Sequence, residues 1–132
     1  MDRDKLVAFT RDFTDAFNRN DLDAVMSYFS GDAVYDEFNG TVSRGPAAIR
    51  AAFEPQFAGT YGQMTFNEED CFVDAGAGRA LIRWTVTLEV KGEPTAWQGL
   101  DILHVEDGLI THKLTYAKAK APLFRQPAES ER

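Results

Sequence analysis

The chain has 132 residues, 44% of them hydrophobic and 27% charged, with a formal net charge of −7. That length suits one domain burying about two-thirds of the surface its unfolded chain exposes. The acidic balance excludes nucleic acid and anionic membrane as partners, because both are bound first through Lys and Arg neutralising phosphates.

The N-terminal MDRDKLVAF lacks the apolar centre of a signal peptide, and no run nears the ~20 apolar residues of a transmembrane helix, so the expected location is cytoplasmic. Cys71 is alone, which excludes an intrachain disulfide and a Cys-cluster metal site. Two His and scattered acids show no metal-ligand spacing, the glycines show no phosphate-cradling pattern, and no cofactor is expected.

From Asp4 to Asn18, Leu6, Val7, Phe9, Phe13, Ala16 and Phe17 recur at spacings of three and four, which predicts an amphipathic helix with an aromatic face. Asn20 reads as the N-cap of a second helix carrying Leu22, Val25, Met26 and Phe29, ended by Ser30-Gly31. DAVYDEF, Asp32 to Phe38, alternates as a short strand and is broken by Asn39-Gly40. Pro46 opens a third helix whose Ile49, Phe53 and Phe57 form the buried stripe, with Pro55 ending or kinking it.

The remainder predicts strands: Gln63 to Asp74, then Gly78 to Lys91 with Ile82, Trp84, Val86 and Leu88 on one face, then a hairpin over Trp97 to Tyr116 turning at Glu106-Asp107-Gly108. Alternation in that hairpin puts Trp97, Gly99, Asp101, Leu103 and Val105 on one face and Leu100, Ile102 and His104 on the other. Asp101 is thus a carboxyl among apolar neighbours, and such a group is paired, protonated or set against a cavity. A two-residue loop pairs Val105 with Ile110 and sets Leu114 opposite Asp101; a three-residue loop with a glycine bulge pairs Val105 with Leu109 and sets Lys113 opposite Asp101, with Thr115 beside it. Both registers are compatible with the residues.

Three helices and then strands, with one short strand between the second and third helices, predict an α+β domain over residues 1–121, followed by a tail, 122–132, that is partly disordered. The face carrying Leu100, Ile102 and His104 is too apolar for solvent, which predicts a homodimer through it.

NRNDLDAVMSYF from Asn18, then GDAVYDE, GPAAIRAAF and GLDILHVEDGLI, occur in an order that resembles the NTF2-like superfamily, in particular its SnoaL-like and ketosteroid-isomerase-like members. The resemblance covers about Leu6 to Tyr116 and implies a cone: three N-terminal helices on a curved, mostly antiparallel sheet enclosing an apolar pocket, usually in a homodimer. It favours the three-residue loop, with Lys113 and Thr115 facing the pocket and His104 and His112 facing away. Ketosteroid isomerases use an aspartate base with a tyrosine and a protonated aspartic acid as oxyanion donors. On this sequence the resemblance puts the base at Glu37, one residue of slippage from Asp36, and the acid at Asp101. The two tyrosine positions fall on Phe13 and Phe53, so steroid isomerisation proper is not expected. Trp84 and Thr115 stand where limonene-epoxide-hydrolase-like members carry acids, which removes that mechanism as well.

The expected site therefore has Asp101 and Glu37 as acid–base residues in a pocket walled by Phe13, Phe17, Phe38, Phe53, Trp84, Leu88, Trp97, Leu103, Lys113 and Thr115. The expected function is an isomerase- or cyclase-type enzyme acting on an apolar carbonyl-containing ligand. A protein that binds such a ligand without turnover, and a dimeric interaction module, are the alternatives.

Overall fold

The structure, a computed structural model, describes residues 1–124. Its elements run α1 (Arg3–Asn18), α2 (Leu22–Ser27), β1 (Phe29–Asp36), β2 (Val42–Arg44), α3 (Pro46–Phe57), β3 (Thr65–Asp74), β4 (Arg79–Val90), β5 (Glu93–Glu106) and β6 (Leu109–Ala117). Six strands form one mixed sheet in the order β2-β1-β6-β5-β4-β3, antiparallel throughout except where β1 runs parallel to β6. The helices pack on one face of that sheet.

Local chemistry accounts for the boundaries. The Asp2 side chain accepts from the Lys5 amide at 2.8 Å and starts α1, and Pro46 stands at the start of α3, where its missing N–H costs nothing. Helix α2 is capped by Asp21 rather than Asn20, which instead takes the turn before it at φ 57°. It also ends earlier than the sequence predicts. Phe29, Ser30 and Gly31 belong to β1, because the chain there runs beside β6: Phe29 is in register with Ile110, whose amide donates to the Tyr28 carbonyl at 2.8 Å. A two-strand hairpin, β1–β2, thus stands where one strand was expected, and α3 spans Pro46–Phe57, the stretch the sequence predicts, so that of the two outcomes expected at Pro55 the helix does not end there.

Two apolar groups make the interior. The larger joins Leu6, Phe13, Phe17, Ile49 and Phe53 of the helices to Ala33, Tyr35, Leu103 and Ile110 of the sheet. The smaller is the inner face of β4, Ile82, Trp84, Val86 and Leu88. Two ties hold α1 across them. Asn18 donates to the Phe66 carbonyl at 2.9 Å and accepts from the Phe66 amide at 2.7 Å, and the Arg11 guanidinium grips both carboxylate oxygens of Glu68. That pairing, chiefly through the hydrogen bond, pulls the Glu68 carboxyl below its ordinary range. Phe66 is so fixed with its ring edge-on to Trp84, 4.9 Å between centroids.

Among the described residues no helix is long and apolar enough to cross a membrane, and no group of three or more metal-ligating side chains occurs. Most of the tail expected to be disordered lies outside the described residues; Leu123, which is described, sits beside Gly40.

Candidate functional site

Between the two apolar groups lies a cavity of about 80 Å³, lined by Phe13, Phe17, Phe53, Phe66 and Val86, by Tyr35, Phe38, Trp84 and Trp97, and at its polar end by Asp101, Lys113 and Thr115. The β5–β6 hairpin sets that end. Its turn is the two-residue one, with Asp107 and Gly108 both at positive φ and Val105 facing Ile110. A register shift past His104/Val105 then leaves Thr111 as an extra residue, so that His104 faces His112, Leu103 faces Lys113 and Asp101 faces Thr115.

Neither sequence-derived register is therefore right as it stood. The bulge restores the side-chain phase of the longer loop, so Lys113 and Thr115 do share the face of Asp101, but the directly opposed residue is Thr115 and the lysine reaches Asp101 along the diagonal.

The polar end is a closed set of hydrogen bonds. Asp101 accepts from Lys113 Nζ at 3.0 Å and Thr115 Oγ1 at 2.6 Å on one oxygen, and from Trp84 Nε1 at 3.1 Å on the other. Lys113 also donates to Thr115 Oγ1 at 2.7 Å. Asp101 is only 8% exposed and Lys113 only 4%, so each needs the other. Indole and ammonium groups are donors only, which identifies the Asp101 group as an acceptor, a carboxylate. Three of its roughly four lone-pair sites are taken, leaving about one for the cavity.

Burial is the largest single influence on Lys113 and pushes its pKa down. The Asp101 charge, with its hydrogen bond, and the neighbouring Tyr35 together outweigh burial and hold it above the ordinary value. The ammonium also lies 4.4 Å from the centre of the Tyr35 ring, within cation–π range. Burial, ahead of the surrounding charges, raises the pKa of Tyr35 itself, so its hydroxyl remains a neutral donor.

Gly99 makes room for this arrangement. It is the register partner of Trp84, and a Cβ there would stand 2.5 Å from the indole Cη2 and 2.5 Å from the Tyr116 carbonyl oxygen.

Most wall residues expected from the sequence line this cavity, with two exceptions, and one of the two expected acid–base residues stands apart as well. Leu103 is wholly buried in the larger core and does not line it. Leu88, further along β4, lines an outer chamber instead. Glu37 lies one residue beyond β1 on the same side as Tyr35, so it rather than Asp36 faces inward, yet it too borders the outer chamber; its carboxylate accepts from Ser43 Oγ at 3.1 Å. His104 and His112 stand on the opposite face, their rings 4.9 Å apart. Tyr35 and the Trp84 N–H were not foreseen, although the first was findable: two residues before Glu37 on the same strand, it shares that residue's face.

Residues 10–113 match the family model of the SnoaL-like domain. The chain belongs to that family. No curated protein sequence matches it, whereas solved structures with the same NTF2-like fold are many. A candidate polyketide cyclase from Xanthomonas campestris superposes with a TM-score of 0.78 at 19% identity, over 86% of this chain and 90% of that one. An NTF2-like protein of unknown function from Mesorhizobium loti gives 0.75 at 24%, over 90% and 96%. A candidate hydroxylase from Streptomyces galilaeus gives 0.75 at 16%, over 90% and 82%. At these identities the likeness establishes the α+β fold of this SnoaL-like domain, helices on a six-stranded mixed sheet, and no one reaction.

Proposed function

We propose that this SnoaL-like domain is a small-molecule enzyme of the isomerase or cyclase type, acting on an apolar ligand that carries a carbonyl group. The observation supporting it is the juxtaposition in one apolar cavity of a carboxylate with a lone pair still open, Asp101, and a neutral phenol, Tyr35. Asp101 takes the proton from the carbon next to the carbonyl, the C–H electron pair moves into the carbonyl, and the resulting enolate oxygen is stabilised by the Tyr35 hydroxyl. Return of the proton at another carbon completes an isomerisation. Attack of the enolate carbon on a second carbonyl of the same molecule, whose oxygen then takes the proton, completes a cyclisation. Candidate cyclases among the structures of this fold agree with the reading.

Deuterium uptake from D2O by a panel of apolar ketones and 1,3-diketones, followed by NMR, tests it. Wild type should accelerate exchange for at least one compound, and Asp101→Asn should lose roughly 10²–10⁴-fold of that acceleration. Equal exchange by the two proteins sinks the proposal. The competing reading, a protein that binds the ligand without turnover, is favoured by the three donors already engaged on Asp101; it predicts saturable binding with no exchange.

The protein further acts, on this reading, as a homodimer through the outer sheet face. Phe72, Leu81, Ile102 and Leu114 are successive register partners across β3, β4, β5 and β6, and Leu100 faces Tyr116 beside them. Phe72 and Tyr116 are both more than half exposed. Light scattering at micromolar concentration should give twice the chain mass, and Ile102→Asp should halve it; a wild-type monomer ends this claim.

A further inference from the structure

The cavity at Asp101 shares part of its wall with a second space. Tyr35, Phe38, Phe53, Gln56, Met64 and Trp97 line both that cavity and an outer chamber of about 240 Å³. The inner space alone falls short of the ~300 Å³ at which ordinary ligand sites begin. A ligand of usual size would have to reach past those shared residues into the outer space.

The outer chamber has its own chemistry. Tyr35, Phe38, Phe53, Tyr61 and Trp97 contribute rings to its wall, Glu37 contributes the sole ionisable carboxyl, and no Lys or Arg lines it. Phe38 is 49% and Tyr61 40% exposed, so these rings keep open faces at the rim. Ser43 holds one oxygen of Glu37 and thereby fixes the carboxylate against that wall. Rings around a single carboxylate, with no protein cation in the chamber, match the recognition of organic ammonium groups: ring faces attract a diffuse positive charge and the carboxylate neutralises it. The inner end already uses the same attraction, with Lys113 Nζ 4.4 Å and 5.7 Å from the ring centres of Tyr35 and Phe53. A net charge of −7 raises the concentration of cations near the surface.

We propose that the outer chamber is a subsite for an alkylated ammonium group, so that the ligand is an amphiphile with a cationic head at Glu37 and an apolar body directed toward Asp101. The placement of the body rests on the reading of the inner cavity given above; the ammonium subsite does not.

Choline and its neutral isostere 3,3-dimethylbutan-1-ol are the probes, titrated into the protein with amide NMR and tryptophan fluorescence as readouts. Wild type should bind choline about tenfold more tightly than the alcohol, with shifts centred on Phe38 and Trp97. Glu37→Gln should remove most of that preference, and Tyr61→Leu, which changes a half-exposed ring, should weaken choline without changing the fold. Asp101→Asn should leave choline binding as it is while abolishing deuterium exchange, so the two readings fail separately. Equal affinity for the two probes, the same preference in Glu37→Gln, or no saturable change below about 100 mM choline overturns the subsite.

Discussion

Replacing Lys113 by Met removes one member of a buried pair and tests the account of the cavity's polar end. Met has nearly the length of Lys, so little volume is lost and the cost is electrostatic. The wild-type pair, 3.0 Å apart, corresponds to roughly 5 kcal/mol of attraction at an effective dielectric constant near 20, before the desolvation that offsets it. What the variant leaves behind is a buried carboxylate without a counter-ion, and removing one partner of such a pair costs about 3–5 kcal/mol. Trp84 and Thr115 still donate to it, so the lower end, about 3 kcal/mol, is expected. For a domain this size that is a fall of roughly 10 °C in Tm. Asp101→Asn on top of Lys113→Met should recover most of the loss, because the amide oxygen still accepts from Trp84 and its nitrogen can donate to Thr115. Urea unfolding of wild type, both single variants and the double variant reads the coupling directly. A Lys113→Met loss below about 1 kcal/mol, or a double variant no more stable than the two losses added, would refute a charged pair at this position.

Other outcomes follow from the same geometry. Lys113 and Tyr35 both have folded pKa values above their ordinary 10.5 and 10.0, so the stability they contribute is whole below those values and lost as pH rises through the folded ones; the urea midpoint should drop in strong alkali, less steeply in Lys113→Met. His104 has the opposite sign: burial first, then Arg79 and His112, lower its pKa from 6.5, so stability present above pH 6.5 declines on acidification, and His104→Gln should flatten that slope in a pH series of unfolding curves. Gly99→Ala puts a Cβ against the Trp84 ring and the Tyr116 carbonyl, which should cost about 1–3 kcal/mol and shift the tryptophan emission as the indole leaves Asp101; an unchanged spectrum would contradict the Trp84 contact.

How far the sequence carries the site depends on the residue. Asp101 was legible because strict alternation on a long strand leaves no doubt about its face, and the same rule put Trp84, Ile82 and Val86 on one side of β4. Lys113 was legible only as one of two alternatives. The extra residue at Thr111 has no sequence mark, since bulges here need neither Gly nor Pro, and a single unpaired residue reverses every side chain beyond it. The early end of α2 was hidden for a related reason: Phe29 fits a helical stripe, and its place in β1 is decided by β6, some eighty residues further on. Glu37 was placed through the resemblance with one residue of slippage to Asp36 left open, and neither that slippage nor depth along the cavity is encoded by alternation, both being matters of tertiary packing.

The chemistry of the inner end follows from the groups that stand around Asp101. With Phe13 of α1 and Phe53 of α3 lining the cavity, Asp101 receives no hydroxyl from those positions and takes instead an ammonium from β6 and an indole N–H from β4. A carboxyl so surrounded has no proton to give, so it can act only as a base or a fixed anion, and any donor to a developing oxyanion must come from elsewhere. Tyr35 is one group in the cavity able to supply it, because burial keeps it protonated and the strand that carries it lies beside β6. The inner pair is also neutral in sum, Asp101 against Lys113, which leaves Glu37 as the uncompensated charge of the two chambers. On the proposed reading, charge selection by the ligand site is separated from proton transfer: substituting Glu37 should alter which ligands enter, substituting Asp101 what happens to them.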